Sequence, residues 1–522
     1  MTQVNPTRIE QIEGWSALEI RDWELVSEKF SFKLGPLDLK LQRGSILAII
    51  GGSGAGKSML IKSLFGIIPD GYGFTEKSSL SMISNSGEKS TVFPLRMKEN
   101  DWILLRKKFW GYLPQDPIPS FDPIKKINRQ LSMAFNARGK QFDIERFFDN
   151  YSNLGLDPGS ELLNKYPHQL SGGQAQRIAF AIAGSGDPNV LVADEPTASL
   201  DSQLIDTTIK MILDWRDTKN GTAIISSHDW AFVSKVADEV AIIENGKVCE
   251  SGDKEKILMA PSSRTGTELK NARLSGAVQR TTSAIQRNDC TVKIDQLSQS
   301  YKHDDNYAIK PSSMIIRSNR LGVFGRSGSG KSTVARMVSG ILQPTSGSVF
   351  INEKKIDFSD PVRFEKTSSL VQYIAQDPFS AFSPRRTVGT SILEVMKNHG
   401  KGIATNELNE MLFTLMDKCQ LDPKLAYRYP KALSGGEKQR FAIIRAIACK
   451  PQLIILDEIT AALDHVSRKM ILDLISDISD AEGFSFWLIS HDKSVIRYMC
   501  EDILLIEEGK LNFSMNSIKN FL

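Results

Sequence analysis

Two tandem copies of an α/β domain, each built on a phosphate-binding loop, are what this sequence predicts, and three observations carry the prediction. Gly51-Gly52-Ser53-Gly54-Ala55-Gly56-Lys57-Ser58 closes the apolar run 45–50 and opens the apolar segment 59–64. Strand, glycine loop, helix is the order that cradling an anion requires. The pattern returns in the same setting at Gly325-Arg326-Ser327-Gly328-Ser329-Gly330-Lys331-Ser332. Landmarks downstream of the two loops also recur at matched distances. Ser171 to Asp194 and Ser434 to Asp457 are both 23 residues, and Glu195 to His228 and Glu458 to His491 are both 33. Gln115 to Ser171 is 56 residues against 58 for Gln376 to Ser434, so one domain has been duplicated. Only Lys57 to Gln115, 58 residues against 45 for Lys331 to Gln376, breaks the match, which places 13 extra residues in the first copy.

Length agrees with duplication, because 522 residues exceed what one ordinary core organises. The reading places a first domain at 1–261, a linker at 262–290 and a second domain at 291–522. The linker is rich in Ser and Thr and carries Arg264, Lys270, Arg273, Arg280 and Arg287. With 41% hydrophobic and 24% charged residues the composition is that of a folded globular protein. A net charge of +4 on this length gives no electrostatic argument for a nucleic-acid partner, and none is expected. The five cysteines, Cys249, Cys290, Cys419, Cys449 and Cys500, show no metal-ligand spacing and are expected as reduced thiols. The polar N-terminus shows no secretory signal, and no apolar run approaches the ~18 residues that span a bilayer. Any pore this protein serves is therefore expected on another chain.

Taken in order, 18–20 and 37–41 alternate with period 2 and read as short strands. The stretch 70–100, polar and rich in Ser and Gly, is expected to be irregular. Residues 110–113 form a strand leading to Gln115 and a Pro-marked loop, and 128–165 read as mainly helical. Ser171-Gly172-Gly173-Gln174 opens a helix over 175–183. The buried strand 190–193 ends in Asp194-Glu195, and 222–227 ends in His228. The second copy repeats each landmark. Its Gln376, Ser434-Gly435-Gly436-Glu437, Asp457-Glu458 and His491 fall at the same places in the pattern.

These residues suit cleavage of a nucleoside triphosphate, which needs charge neutralisation, a held metal and an aligned water. Loop glycines let backbone N–H groups converge on phosphate oxygens, and the following helix adds its positive end. Lys57 and Lys331 would neutralise the β/γ-phosphates, while Ser58 and Ser332 would ligate Mg²⁺. A carboxylate ending a buried apolar strand is costly unless it serves a cation, so Asp194 and Asp457 are expected to help hold Mg²⁺. Glu195 and Glu458 are the expected general bases for the attacking water. Gln115 and Gln376 would contact metal or water, and His228 and His491 would donate to the γ-phosphate. The Ser-Gly-Gly segments are also helix N-termini with free amides, hence a second anion site in each copy. Head-to-tail pairing uses all four ends. Ser434, Gly435, Gly436 and Glu437 would cap the ATP on Lys57, and Ser171, Gly172, Gly173 and Gln174 the ATP on Lys331.

Together these motifs resemble the ATP-binding cassette family, with two cassettes fused in one chain, and the resemblance covers nearly everything outside the linker and the ends. The family implies tandem P-loop NTPase, RecA-like cores, each with an antiparallel β subdomain and a helical subdomain, and ATP sites shared between cassettes. It also implies an aromatic residue stacked on adenine, where Tyr301 matches in the second copy and Phe30 is a candidate in the first. Closer similarity is to the ATPases of oligopeptide, dipeptide and nickel importers. It lies in Gln115-Asp116-Pro117-Ile118-Pro119-Ser120-Phe121-Asp122-Pro123, in Gln376-Asp377-Pro378-Phe379 and the residues that follow, and in Tyr166-Pro167-His168-Gln169-Leu170 before the signature. The second copy departs from the pattern by placing Ile459 where the first has Pro196.

The resemblance implies an ATPase peripheral to the cytoplasmic face of the inner (plasma) membrane. It would work with two membrane permease subunits and an extracytoplasmic solute-binding protein, and take up a peptide, nickel or metal chelate. The alternative is a pore-less tandem-cassette ATPase acting on the ribosome, which usually carries a long charged helical linker. Neighbouring permease genes would favour the first reading and co-sedimentation with ribosomes the second.

Overall fold

The computed structural model describes residues 14–145, 147, 161–197, 202–272, 290–301, 307–326, 328–359, 369–377, 382–399, 403–460 and 463–515. It divides into two compact units with the boundary between Ala272 and Arg273.

The first unit contains β1 (Trp15–Ser27), β2 (Leu34–Gln42), β3 (Ile46–Ile50), β4 (Tyr72–Phe74), β5 (Ser79–Ser84), β6 (Lys89–Val92), β7 (Trp110–Leu113), β8 (Val190–Asp194), β9 (Thr222–Ser227), β10 (Glu239–Glu244) and β11 (Lys247–Asp253). Two sheets form. The antiparallel sheet runs β2-β1-β5-β6 with β4 also on β1, and the second sheet runs β11-β10-β3-β9-β8-β7. In the second sheet β10, β3, β9, β8 and β7 pair in parallel, and β11 closes the edge antiparallel. β3, β8 and β9 are buried at every position, as strands covered on both faces must be. Between the sheets Leu18, Ile20 and Trp23 pack with Leu47, Ile49, Leu60 and Ile61. The indole N–H of Trp23 donates to Ser63 Oγ at 2.8 Å, which ties the phosphate-loop helix, Lys57–Ser63, to the antiparallel sheet.

The second unit repeats the plan with β12 (Thr291–Ser300), β13 (Tyr307–Arg317), β14 (Arg320–Phe324), β15 (Ser346–Ile351), β16 (Lys354–Lys355), β17 (Val371–Ile374), β18 (Leu453–Asp457), β19 (Ser485–Ile489), β20 (Asp502–Glu507) and β21 (Lys510–Ser514). Its sheets run β13-β12-β15-β16 and β17-β18-β19-β14-β20-β21. The second order matches that of the first unit strand for strand. Helices Val388–His399 and Thr405–Lys418 bury Ile392, Met396, Leu408, Leu412 and Met416 in one core with Phe441 of the helix Gly435–Ile447.

Two expectations change. The stretch 70–100 is not irregular, because it supplies β4, β5, β6 and the start of the helix Glu99–Lys108. Leu80 and Met82 are fully buried, and the buried Ser81 hydroxyl pairs with Thr91 Oγ1 at 2.9 Å, so small polar residues here serve a sheet rather than a loop. The 13 extra residues flank β5. Lys57 to Ser79 is 22 residues against 15 for Lys331 to Ser346, and Ser79 to Trp110 is 31 against 25 for Ser346 to Val371. Second, residues 264–271 of the expected linker form the helix Arg264–Asn271 within the first unit, capped by Ser263 and burying Leu269. The Glu250 carboxylate accepts from the Ser262 and Ser263 N–H groups and fixes its entry. Residues 273–289 of that stretch lie outside the described residues. Within 128–165 the described residues are mainly helical, as expected, in Ile127–Ala137, at 144, 145 and 147, and in the turn Glu161–Asn164; 146 and 148–160 lie outside the described residues.

Candidate active site

In each unit the strand order brings the candidate residues to one end of the parallel sheet. β3 and β14 lead into the phosphate loops, β8 and β18 end in the Asp, and β9 and β19 run into the His. β7 and β17 lead to the Gln. Parallel strands emit their C-terminal ends on one edge, so residues separated by up to 170 positions meet there.

In the first unit Gly56 takes a left-handed conformation, φ 105°, and turns the loop into the helix Lys57–Ser63. Lys57 is buried, and its ammonium donates to the carbonyls of Gly51 and Gly52 at 2.8 and 3.0 Å and lies 3.5 Å from Glu195 Oε1. Ser58 Oγ donates to Asp194 Oδ1 at 3.1 Å. Gln115 Nε2 reaches Glu195 Oε2 at 3.5 Å, and His228 Nδ1 lies 3.3 Å from the same oxygen. Lysine, base, glutamine, histidine, serine and aspartate are thus one contiguous cluster. Burial works to raise the Glu195 carboxyl, but His228 and then Lys57 outweigh it and hold the group below the ordinary carboxylate range.

The second unit repeats the lysine–carbonyl, glutamine–glutamate and histidine–glutamate contacts. Lys331 donates to the carbonyls of Gly325 and Arg326, both at 2.9 Å. Burial holds its ammonium below the usual lysine range against the opposing pull of Glu458 and Asp457. Gln376 Nε2 lies 3.3 Å from Glu458 Oε2, and His491 Nδ1 lies 3.5 Å from Glu458 Oε1. Ser332 makes no hydrogen bond to Asp457 among the described residues. Ser327 lies outside the described residues, as do 198–201, downstream of Asp194-Glu195.

Hydrogen bonding to His491 pulls the Glu458 carboxyl below its ordinary value of 4.5, and Glu458 in turn raises His491 above 6.5. The raised histidine contributes stability that is complete below 6.5 and lost as pH rises through its folded value. The depressed glutamate contributes stability above 4.5 that is lost as pH falls through its folded value. The pair is therefore worth most to the nucleotide-free protein between those two ordinary values. By NMR titration of that form, the His491 midpoint should exceed 6.5 and fall in Glu458→Gln. An unmoved midpoint would show that the pair does not form.

The signature segments sit apart from these clusters within their own units. Ser171 caps the helix Gly172–Gly184, accepting from the Gln174 N–H, and Gln174 Oε1 accepts from the Ser171 N–H in return. Ser434 and Glu437 form the same reciprocal box on the helix Gly435–Ile447. Among the described residues no hydrogen bond or ion pair joins either box to the phosphate loop of its own unit. Tyr301 is exposed, and its hydroxyl is 3.4 Å from Thr333 Oγ1 of the second phosphate-loop helix. Phe30 is also exposed and stacks on Tyr72, with centroids 5.6 Å apart.

Four features were missing from the sequence reading. Glu195 and Glu458 have φ of 44° and 49°, left-handed conformations that non-glycine residues hold only where the surroundings compel them. The buried Gln176 and Gln439 donate to the carbonyls of Pro196 and Ile459, bracing the segment after each glutamate. Asp229 and Asp492 cap the helices Trp230–Val236 and Lys493–Met499, which start directly beyond the histidines. Their recurrence directly after each His was the available signal. Ser226 and Tyr373, each hydrogen-bonded to a strand-end aspartate, carried no such signal.

Among the described residues no group of three or more His, Cys, Asp and Glu side chains forms a metal cage. Ser58, Asp194 and Gln115 offer hard oxygen donors instead. That suits Mg²⁺, which is usually held by one or two carboxylates together with substrate phosphates.

The sequence profile described as "ABC transporter" matches residues 34–198 and again residues 310–461. The chain is 28% identical over 489 residues to the Peptidoglycan transport ATP-binding protein YejF of Agrobacterium fabrum, covering 90% of this chain and 87% of that one. It is 28% identical over 514 residues to the Glutathione import ATP-binding protein GsiA of Escherichia coli strain K12, covering 91% and 82%. It is also 27% identical over 491 residues to the Uncharacterized ABC transporter ATP-binding protein YejF of the same strain, covering 91% and 90%.

Proposed function

The chain belongs to the ABC transporter family and is an ATP-binding ATPase, and from that premise we propose that it powers uptake of a small solute through separate membrane permease subunits. The reading is carried by the relatives that align along nine-tenths of the chain, which are named for transport and import. Among the described residues no helix is long and apolar enough to cross a membrane, and the proposal assigns the pore to other chains. The solute is of the peptide, nickel or metal-chelate class and is delivered by an extracytoplasmic binding protein. The ATPase works peripherally on the cytoplasmic face of the membrane. Its cassettes fall in the two units divided between Ala272 and Arg273.

Chemistry in each cassette starts from the cluster around the base. Lys57 exchanges its glutamate and carbonyl contacts, and Lys331 its carbonyl contacts, for the β/γ-phosphates. Ser58, Asp194 and Gln115, or Ser332, Asp457 and Gln376, would hold Mg²⁺, which would supply charge neutralisation of the phosphates. Glu195 and Glu458 orient the attacking water and take its proton, which their lowered basicity permits only as the phosphate charge draws near and raises it. His228 and His491 donate to the γ-phosphate. Ser171 to Gln174 and Ser434 to Glu437 serve the nucleotide held by the other cassette, so ATP favours closure of the two cassettes and hydrolysis releases it.

Permease subunits are assigned to the loops after Gln115 and Gln376. In support, a cleft of about 360 Å³ beside the first loop is lined by Tyr112, Pro114, Phe121, Met133, Ala179 and Ile182. Tagged full-length chain purified from its native cells should fractionate with the membrane and co-purify with hydrophobic multi-spanning subunits. Co-sedimentation with ribosomes and absence from the membrane fraction would overturn the reading.

A further inference from the structure

The two strand-end aspartates are held from opposite sides. In the first unit β8 lies between β9 and β7, and the holding hydroxyl comes from β9. Ser226 pairs directly with Asp194 across the parallel ladder, and its Oγ donates to Asp194 Oδ1 at 2.6 Å. The Ser226 Oγ in turn accepts from the Glu195 N–H at 2.9 Å. In the second unit the residue opposite Asp457 is Ile489, which has no hydroxyl to give. There the donor comes from β17 on the other flank, where the Tyr373 hydroxyl reaches Asp457 Oδ2 at 2.5 Å. Tyr112 occupies the Tyr373 position in the first unit, pairing with Val192 as Tyr373 pairs with Ile455. Its ring instead packs edge-on against Phe65, 5.1 Å between centroids, and among the described residues it makes no hydrogen bond to Asp194.

Both aspartates are almost completely buried, so their carboxylates rotate freely only if nothing nearby bonds them. Ser226 shares Asp194 Oδ1 with the more distant Ser58 hydroxyl at 3.1 Å, so that oxygen is the one committed to the protein, while in the second unit Tyr373 commits Asp457 Oδ2. We propose that Ser226 and Tyr373 are positioning residues that orient Asp194 and Asp457 for Mg²⁺, one from each flank. The duplicated copies thereby reach one arrangement through residues at non-equivalent positions. The inference rests on the reading above that these aspartates serve Mg²⁺. Partners that orient a metal ligand typically govern metal affinity by about tenfold or more.

The test uses the full chain with one site silenced, Lys331→Ala to read the first site and Lys57→Ala to read the second. Binding of a fluorescent trinitrophenyl-ATP is followed in EDTA and across a Mg²⁺ titration. Ser226→Ala in the first background and Tyr373→Phe in the second should each raise the half-saturating Mg²⁺ concentration about tenfold while leaving binding in EDTA unchanged. Ser226→Thr, which keeps the hydroxyl, should restore the midpoint, and Tyr112→Phe should not move it. An unmoved midpoint, an equal effect of Tyr112→Phe, or a parallel loss of binding in EDTA would each overturn the inference. Failure of the single-site backgrounds to bind the analogue with or without Mg²⁺ would instead count against the nucleotide sites themselves.

Discussion

A chain carrying both Glu195→Gln and Glu458→Gln is expected to bind MgATP and to hydrolyse it at least ~100-fold more slowly than the unaltered protein. The amide keeps the shape of the side chain and its contacts with Gln115 or Gln376, 3.5 and 3.3 Å away. It removes the negative charge that accepts the water proton and that partners Lys57 across 3.5 Å in the first unit. Binding therefore survives while proton acceptance does not, and the ATP-loaded form accumulates. Each single change leaves one complete cluster, so each should retain partial turnover. Phosphate release and retention of radiolabelled ATP after rapid gel filtration read the two properties separately. Should one single change abolish all hydrolysis and the other be silent, the sites are not the equivalent pair that their matching geometry implies.

Replacing the first glycine of either phosphate loop should cost both nucleotide binding and stability. A Cβ on Gly51 would lie 2.4 Å from the Ile243 carbonyl oxygen, and one on Gly325 would lie 2.3 Å from that of Ile506. Both obstacles are backbone in a neighbouring strand of the parallel sheet, which no side-chain rotation relieves. Gly51→Ala and Gly325→Ala should each destabilise their unit by about 2 kcal/mol and displace the loop that the lysine and serine depend on. In thermal unfolding this corresponds to a midpoint lower by ~4–8 °C, with nucleotide affinity at that site reduced at least ~tenfold. Gly52→Ala is the contrast, because a Cβ there meets no atom within 4 Å, and its unfolding midpoint should match the unaltered chain. Equal midpoints for Gly51→Ala and Gly52→Ala would contradict the close approach.

Much of the site was readable because its residues terminate apolar strands. A run such as Leu453–Asp457 is buried throughout, so the carboxylate at its end stands out as a charge that burial alone would not tolerate. The duplication gave an internal check on every landmark: in each unit glutamine and histidine meet the glutamate within 3.5 Å, and in the first the lysine does so as well. The stretch 70–100 was misread for a physical reason. Its strands are short, and they bury Ser81 beside Leu80 and Met82, so composition signalled a loop where cross-strand pairing makes a sheet. The helix Arg264–Asn271 was hidden in the same way, since only Thr265, Gly266 and Leu269 of its eight residues are buried.

By itself the amino-acid sequence determined the duplicated α/β plan, the two phosphate loops, and the chemical kind of each residue at the strand ends. Those are properties of local pattern and spacing. Tertiary structure alone decided that Glu195 and Glu458 stand in left-handed backbone, and that Asp194 is held from β9 while Asp457 is held from β17. The reason is that a strand's neighbours in a parallel sheet come from distant parts of the chain. Which hydroxyl faces which carboxylate is set by lateral strand order and register, and neither is written in the local pattern of either strand.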